Sequence, residues 1–236
     1  MILIVWKFSV PVQLHYNFWI VDNCRALYIL TLNASFFQLY LYNCSITVEL
    51  CTCYCQFVFQ VNGCNMRRLD SRICSLRNLI SLDLSDNGLT DLIDDIGKLQ
   101  TLAQLKLRNN KFEKFPQNIC FKPNLKASLA VLDMSTNQMK IVPPSICELQ
   151  ALMSLKMDDN ILEFVSPTMG RLQNLKTVSM CGNKLKILPA GFLHLKLENV
   201  DLYNNLFVET ENQTSADHVD VPTLLECAAR YVKKNR

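Results

Sequence analysis

From Leu79 the chain reads Leu79-Ile80-Ser81-Leu82-Asp83-Leu84-Ser85-Asp86-Asn87-Gly88-Leu89, an L-x-x-L-x-L-x-x-N-x-L string, and this string returns five more times. The returns run through Leu102, Leu105, Leu107 and Asn110; Leu129, Leu132, Met134 and Asn137; Leu152, Leu155, Met157 and Asn160; Leu175, Val178, Met180 and Asn183; and Leu197, Val200, Leu202 and Asn205. The asparagines keep time: the steps 87 to 110, 137 to 160 and 160 to 183 are each 23 residues, and 183 to 205 is 22. From Asn110 to Asn137 the step is 27, so about four residues are inserted. Pro123 and Asn124 place them in Phe121 to Ser128, as a bulged loop off the strand. A fixed period of this length restricts a chain to one supersecondary unit stacked on copies of itself, because a single unit cannot bury its own apolar edge.

The pattern resembles the leucine-rich repeat. It predicts an α/β solenoid, a horseshoe with short parallel strands on its concave face. In L-x-L the side chains alternate, so the leucines fill the core and the residues between them line the concave surface. The asparagines, Asn87, Asn110, Asn137, Asn160, Asn183 and Asn205, turn inward and offer donor and acceptor groups to turn backbone that is otherwise unpaired. Five residues on stand Leu92, Phe115, Val142, Val165 and Leu188, and nine residues on Ile96, Ile119, Ile146, Met169 and Phe192, which pack the convex side against the strand. Thr210 breaks the series, so the array ends there.

The division expected from these patterns is an apolar, cysteine-rich segment at 1–58, the solenoid at 59–208, an acidic connector at 209–220 and a terminal helix at 221–236. Residues 1–58 carry only Lys7, Asp22, Arg25 and Glu49 as full charges. A membrane span within Ala26 to Val48 is opposed by its polar interruptions and the lack of a basic flank, and the N-terminus has no basic region to make a signal peptide. The favoured reading is a stretch without an evolved fold of its own. Cys51, Cys53, Cys55 and Cys64 suggest a disulfide-bonded cap, and three Asn-x-Ser/Thr sequons point the same way. Against this, Cys64 lies 23 before Asn87, in the asparagine slot, so a partial repeat begins near Phe59. Cys74, Cys120 and Cys147 each follow a convex isoleucine, which makes them small core residues. An odd total of 11 cysteines favours a reducing compartment, nucleus or cytoplasm.

No catalytic constellation is visible. The three histidines are scattered, no glycine-rich phosphate loop occurs, and Asp94-Asp95 and Asp158-Asp159 read as solvated turns, so neither enzyme chemistry nor a cofactor or metal is expected. A formal charge of +3 without a basic cluster before the last residues gives no nucleic-acid footprint. What remains is a binding surface. Its strand positions are Asp83, Lys106, Asp133, Lys156, Ser179 and Asp201, whose charges alternate and are expected to pair across neighbouring strands. With Ser81, Gln104, Arg108, Ser154, Asp159, Thr177, Asn199 and Tyr203 they form a polar concave face suited to a protein substrate.

Beyond the connector, Thr223-Leu224-Leu225-Glu226 opens a helix as a capping box, and Leu224, Ala228 and Val232 share one face, joined by Leu225. The structural reading of this helix is a cover for the open core of the last repeat. Its spacing is also similar to the elongin-binding BC box, with Ala228 at the position that usually holds Cys. Joined to the preceding array, residues 59–236 resemble the leucine-rich-repeat substrate receptors of cullin-2 RING ubiquitin ligases. That resemblance implies an interaction protein that is not itself an enzyme. Thr223, Leu224, Leu225, Ala228 and Val232 would contact elongin C of the elongin B/C adaptor, cullin 2 would join through it, and the substrate would be a protein of chromatin-bound replication machinery. Residues 1–58 do not match that family, and the chain stops at Arg236, ahead of the family's cullin-contacting segment, as in a shortened form. The rival readings are an extracellular or membrane-tethered repeat receptor and an intracellular repeat scaffold.

Overall fold

The computed structural model describes residues 15–21, 24–31, 37–41, 44–51 and 56–207, with side chains from Val58 onward except Arg72 and Ser75. Five strands come first: β1 (His15–Val21), β2 (Cys24–Thr31), β3 (Phe37–Leu41), β4 (Cys44–Cys51) and β5 (Gln56–Asn62). The repeats then supply β6 (Leu79–Asp83), β7 (Gln104–Lys106), β8 (Val131–Asp133), β10 (Ser154–Lys156), β12 (Thr177–Ser179) and β13 (Asn199–Asp201). A smaller sheet on the flank pairs β9 (Ile141–Val142) with β11 (Phe164–Val165) in parallel.

The main sheet runs β13-β12-β10-β8-β7-β6-β5-β4-β3, parallel from β5 to β13 and antiparallel from β5 through β4 to β3. Its register follows the repeat slot: Leu82, Leu105, Leu132, Leu155, Val178 and Val200 are successive partners. The partial repeat therefore starts at Gln56, three residues before the expected Phe59, and is already a full strand of the sheet. The apolar stretch between Ala26 and Val48 is divided among β2, β3 and β4.

Alternation in each strand puts the leucine slot inside. Leu82, Leu105, Leu132, Leu155 and Val178 are fully buried, whereas Val200 is 39% exposed, so among the described residues the core stands open at β13. On the convex side each repeat makes one short 3-10 turn, at Ser71–Ser75, Asp94–Lys98, Gln117–Phe121, Pro144–Glu148, Pro167–Arg171 and Ala190–His194. Ile96, Ile119, Ile146 and Met169 anchor four of these turns in the core with no exposed surface. The inserted residues correct the expectation of a bulged loop. They form a helix, α1 (Pro123–Ser128), that follows the turn Gln117–Phe121, with Leu125 fully buried and Leu129 N donating to Leu125 O at 2.9 Å. Pro123 marks a helix start because its missing N–H falls where a helix has an unpaired donor anyway.

The asparagine ladder joins each repeat to the one before it. Asn137 Oδ1 accepts from Phe112 N at 3.1 Å, and its Nδ2 donates to Leu107 O and Met134 O at 3.0 Å. The same bonds recur at Asn110, Asn160, Asn183 and Asn205. At the head of the array, Asn87 Oδ1 accepts from both Cys64 N and Met66 N, at 3.1 and 3.2 Å. Cys64 sits in the asparagine slot as expected, buried, its thiol directed to Asn62 O at 3.6 Å.

Turning the asparagine inward requires a left-handed residue immediately before it. Asp86, Asn109, Thr136, Asp159, Gly182 and Asn204 all occupy this slot with φ between 51° and 65°. Glycine, asparagine and aspartate enter that region at low cost, but a β-branched residue does not. Thr136, at φ 56°, is the strained member. Replacing it with Asn, the residue the slot holds at Asn109 and Asn204, is expected to stabilise the array by about 1 kcal/mol. A rise in the thermal midpoint of Thr136→Asn checks this, and a fall would show that the threonine makes a compensating contact.

Candidate functional site

The concave surface consists of three rows, each contributed one residue at a time by successive strands. Ser81, Gln104, Val131, Ser154, Thr177 and Asn199 form the first, and Asp83, Lys106, Asp133, Lys156, Ser179 and Asp201 the second. Two residues further on, alternation continues through Ser85, Arg108, Ser135, Asp158, Cys181 and Tyr203. Here the expectation needs correction: Asp158, not Asp159, belongs to the third row. Asp159 occupies the left-handed turn at φ 51°, exposed, with its carboxylate over Gly182, where an added Cβ would lie 2.5 Å from Oδ1.

The expected ladder of alternating charges forms at one rung. Lys106 Nζ lies 3.6 Å from Asp83 Oδ2, and among the described residues no other ion pair joins second-row neighbours. The carboxylates bond locally instead. Asp83 accepts from Ser85 N and Oγ at 3.1 and 2.6 Å, Asp133 from Ser135 N at 3.0 Å and Asp201 from Tyr203 N at 3.1 Å. A short aspartate reaches the amide two residues on with little loss of freedom. A lysine spanning to the next strand gives up far more side-chain entropy for an exposed pair. Asp158 bonds sideways, accepting from Ser179 Oγ at 2.5 Å and Cys181 N at 3.0 Å.

These bonds sort the expected residues. Ser81 and Asp83 are buried, with the Ser81 hydroxyl donating to Gln104 Oε1 at 2.9 Å, so they support the face more than they present it. Gln104, Lys106, Asp133, Ser154, Thr177 and Ser179 are half-buried, while Arg108, Lys156, Asn199, Asp201 and Tyr203 are exposed. Tyr203, at 82%, is the most exposed of the large apolar or aromatic residues described. The face thus offers separated cations and anions around an aromatic ring, on a backbone held by its own side chains. Asp158, Ser85 and Ser135 were not anticipated, although counting by two from Lys156, Asp83 and Asp133 reaches each of them. Thr223, Leu224, Leu225, Ala228 and Val232 lie outside the described residues, as do Cys53 and Cys55.

The core thiols are unsuited to nucleophilic chemistry. Cys74, Cys120 and Cys147 are buried and unlinked. Burial pushes Cys74 up to about 11, with Asp95 adding to the rise, and Cys120 up to about 12. Cys181, half-buried on the concave face, is raised to about 11 by burial and then by Asp158, Asp201 and Asp159. Among the described residues no group of histidine, cysteine and acidic side chains is arranged to hold a metal ion.

Short parallel strands inside, one 3-10 turn per repeat outside and a buried asparagine ladder define a leucine-rich-repeat solenoid, a protein-interaction module. The Leucine Rich Repeat family profile matches residues 78–99. The chain is similar to leucine-rich repeat protein 1 of Homo sapiens, 39% identical over 178 residues that make up 75% of this chain and 42% of the human protein. The Mus musculus protein of the same name is 38% identical over 152 residues, covering 64% of this chain and 36% of its own length. The chain thus spans less than half the length of these curated relatives. Among solved structures, a Leptospira interrogans leucine-rich-repeat protein aligns with a TM-score of 0.54 at 27% identity, over 63% of this chain and 43% of its own. Internalin C2 of Listeria monocytogenes aligns with a TM-score of 0.56 at 23% identity, over 65% of this chain and 64% of its own, and shows the shared fold.

The raised thiols set a pH dependence. Their folded values lie above the ordinary thiol value, so their contribution to stability is complete below that value and is lost as pH rises from about 9 towards 11–12. Urea midpoints are expected to fall across that window, and to fall less steeply in Cys74→Ala and Cys120→Ala. An equal slope in the variants would mean that these thiols do not drive the loss.

Proposed function

We propose that this chain is a substrate-recognition module of a cullin-RING ubiquitin ligase, acting in the nucleus and cytoplasm. Its concave face would hold a protein segment, and residues 223–232 would bind elongin C. The observation that carries the reading is the 39% identity to leucine-rich repeat protein 1 over 178 residues, a longer stretch than the 59–207 array. The Thr223-Leu224 helix pattern, with Ala228 and Val232 on the Leu224 face, supports it.

The division of labour follows from chemistry. A rigid polar face with isolated charges and an exposed tyrosine suits recognition of another protein, where aromatic and arginine side chains concentrate binding energy. Leu224, Ala228 and Val232 on one face suit insertion of a helix into an apolar groove. Ubiquitin transfer would belong to other subunits, joined through elongin B/C and cullin 2. Buried, unlinked core cysteines accord with a reducing compartment.

Co-expression of the full chain with elongins B and C, followed by size-exclusion chromatography, tests this. Co-elution is expected for the native sequence. Leu224→Asp should abolish it while leaving the circular-dichroism melt of the repeats in place, because the charge enters the partner's apolar groove and not the solenoid core. Separate elution of the native chain would sink the ligase reading, and a lost melt in Leu224→Asp would make the helix a cover for the array.

A further inference from the structure

Charge is not spread evenly over the array. Residues 58–207 hold 18 lysines and arginines against 14 aspartates and glutamates, an excess of positive charge. The concave face, counted from the first row to the left-handed residue before each ladder asparagine, has the opposite balance. Its cations are Lys106, Arg108 and Lys156, and its anions are Asp83, Asp86, Asp133, Asp158, Asp159 and Asp201. Lys176 and Glu198, directly ahead of the first row, pair with each other at 3.0 Å and leave the balance unchanged. Lys111 lies past the ladder, in a groove of the flank beside Thr90 and Glu113, and Lys184 holds the same slot in a later repeat. A basic array thus turns an acidic face inward.

The negative charge gathers towards Tyr203. Asp159 N donates to Cys181 O at 2.8 Å and Gly182 N to Tyr203 O at 2.9 Å, so Asp158 with Asp159, Cys181 with Gly182, and Tyr203 are successive rungs. Asp201 stands two residues before Tyr203, on the same side of the strand. The rung between carries Ser179, Cys181 and Gly182, all small, so the carboxylates of one repeat face Asp201 and the tyrosine ring across two strand spacings, about 10 Å. After burial, Asp158, Asp201 and Asp159 raise the Cys181 thiol, so all three carboxylates act on the middle of this step. Among the described residues none of the three is in an ion pair. Tyr203, 82% exposed, offers its ring beside them, and the face of an aromatic ring attracts a cation.

We propose that the concave face takes a basic segment of its protein partner, one lysine or arginine of which sits over Cys181 and Gly182, between Asp158 and Asp159 on one side and Asp201 and Tyr203 on the other. This rests on the reading of the concave face as the surface that holds the substrate, and it names the chemistry of that substrate. Lys156 repels a cation placed one strand earlier, which puts the seat at the C-terminal end of the face. The same acidic balance opposes a phosphate backbone, so the partner is a protein. Attraction between exposed charges makes the encounter weaken with salt.

The test is fluorescence anisotropy of the purified full chain with a fluorescein-labelled ten-residue peptide of alternating Arg and Ser, and a Glu-Ser peptide as its counterpart. Saturable binding of the Arg-Ser peptide is expected, weakening about tenfold with Asp159→Asn plus Asp201→Asn and with Tyr203→Ala, and tightening with Lys156→Glu. Asparagine already holds the left-handed slot at Asn109 and Asn204 and can accept from the Tyr203 amide as Asp201 does, so the double variant should melt like the native chain. Elongin co-elution is measured separately, so a failed ligase reading with an intact peptide site, and the reverse, give different results. Equal binding of the two peptides, no binding of the Arg-Ser peptide, or binding indifferent to these variants overturns the proposal. A crosslink from a benzophenone side chain at position 203 to residues 230–236 overturns it in favour of the chain's own basic C-terminal stretch.

Discussion

A carboxamide in each turn holds the array together. Each ladder asparagine is buried or half-buried and spends its oxygen on an amide of the preceding repeat and its nitrogen on carbonyls of both repeats. No other side chain of that length has both a donor pair and an acceptor, which explains the regularity of the slot. Leaving such buried backbone groups unpaired costs about 1–3 kcal/mol each, so the bonds specify register as firmly as the leucines supply burial. Only with that register kept do the leucines of adjacent strands meet, from Leu82 to Val200.

The same economy of local bonds shapes the recognition surface. Aspartates on the strands cap amides two residues away, which stiffens the concave backbone before any partner arrives. A stiff surface loses little freedom on binding, and that suits a module whose task is to hold another protein.

Much of this was legible in the residues. The repeat period located every ladder asparagine, the core leucines and the convex isoleucines, because those slots are set by burial and a burial pattern is written in residue type. Three features were not. Asp133 sits between Lys106 and Lys156, which suggests pairing across strands, but a carboxylate two residues from an amide has a nearer donor than the next strand offers. Pro123 suggests a loop when it is treated as a breaker, whereas at the first position of a helix proline is tolerated. Residue type does not separate Asp158 from Asp159, because the left-handed turn that removes Asp159 from the strand's alternation is a property of the backbone, found in this slot at Asp, Asn, Thr and Gly. Tyr203 could be placed on the concave face from its slot, but its degree of exposure could not.

Amide hydrogen exchange measures the ladder most directly. Phe112, Met139 and Leu162 each donate their N–H to an asparagine Oδ1 of the next repeat and lie outside the assigned strands, so sheet pairing gives them no protection. If the ladder holds the array, these three amides exchange as slowly as those of the central strands β8 and β10. Exchange at the rate of the surface turns would contradict the account, leaving the stack to hydrophobic burial alone.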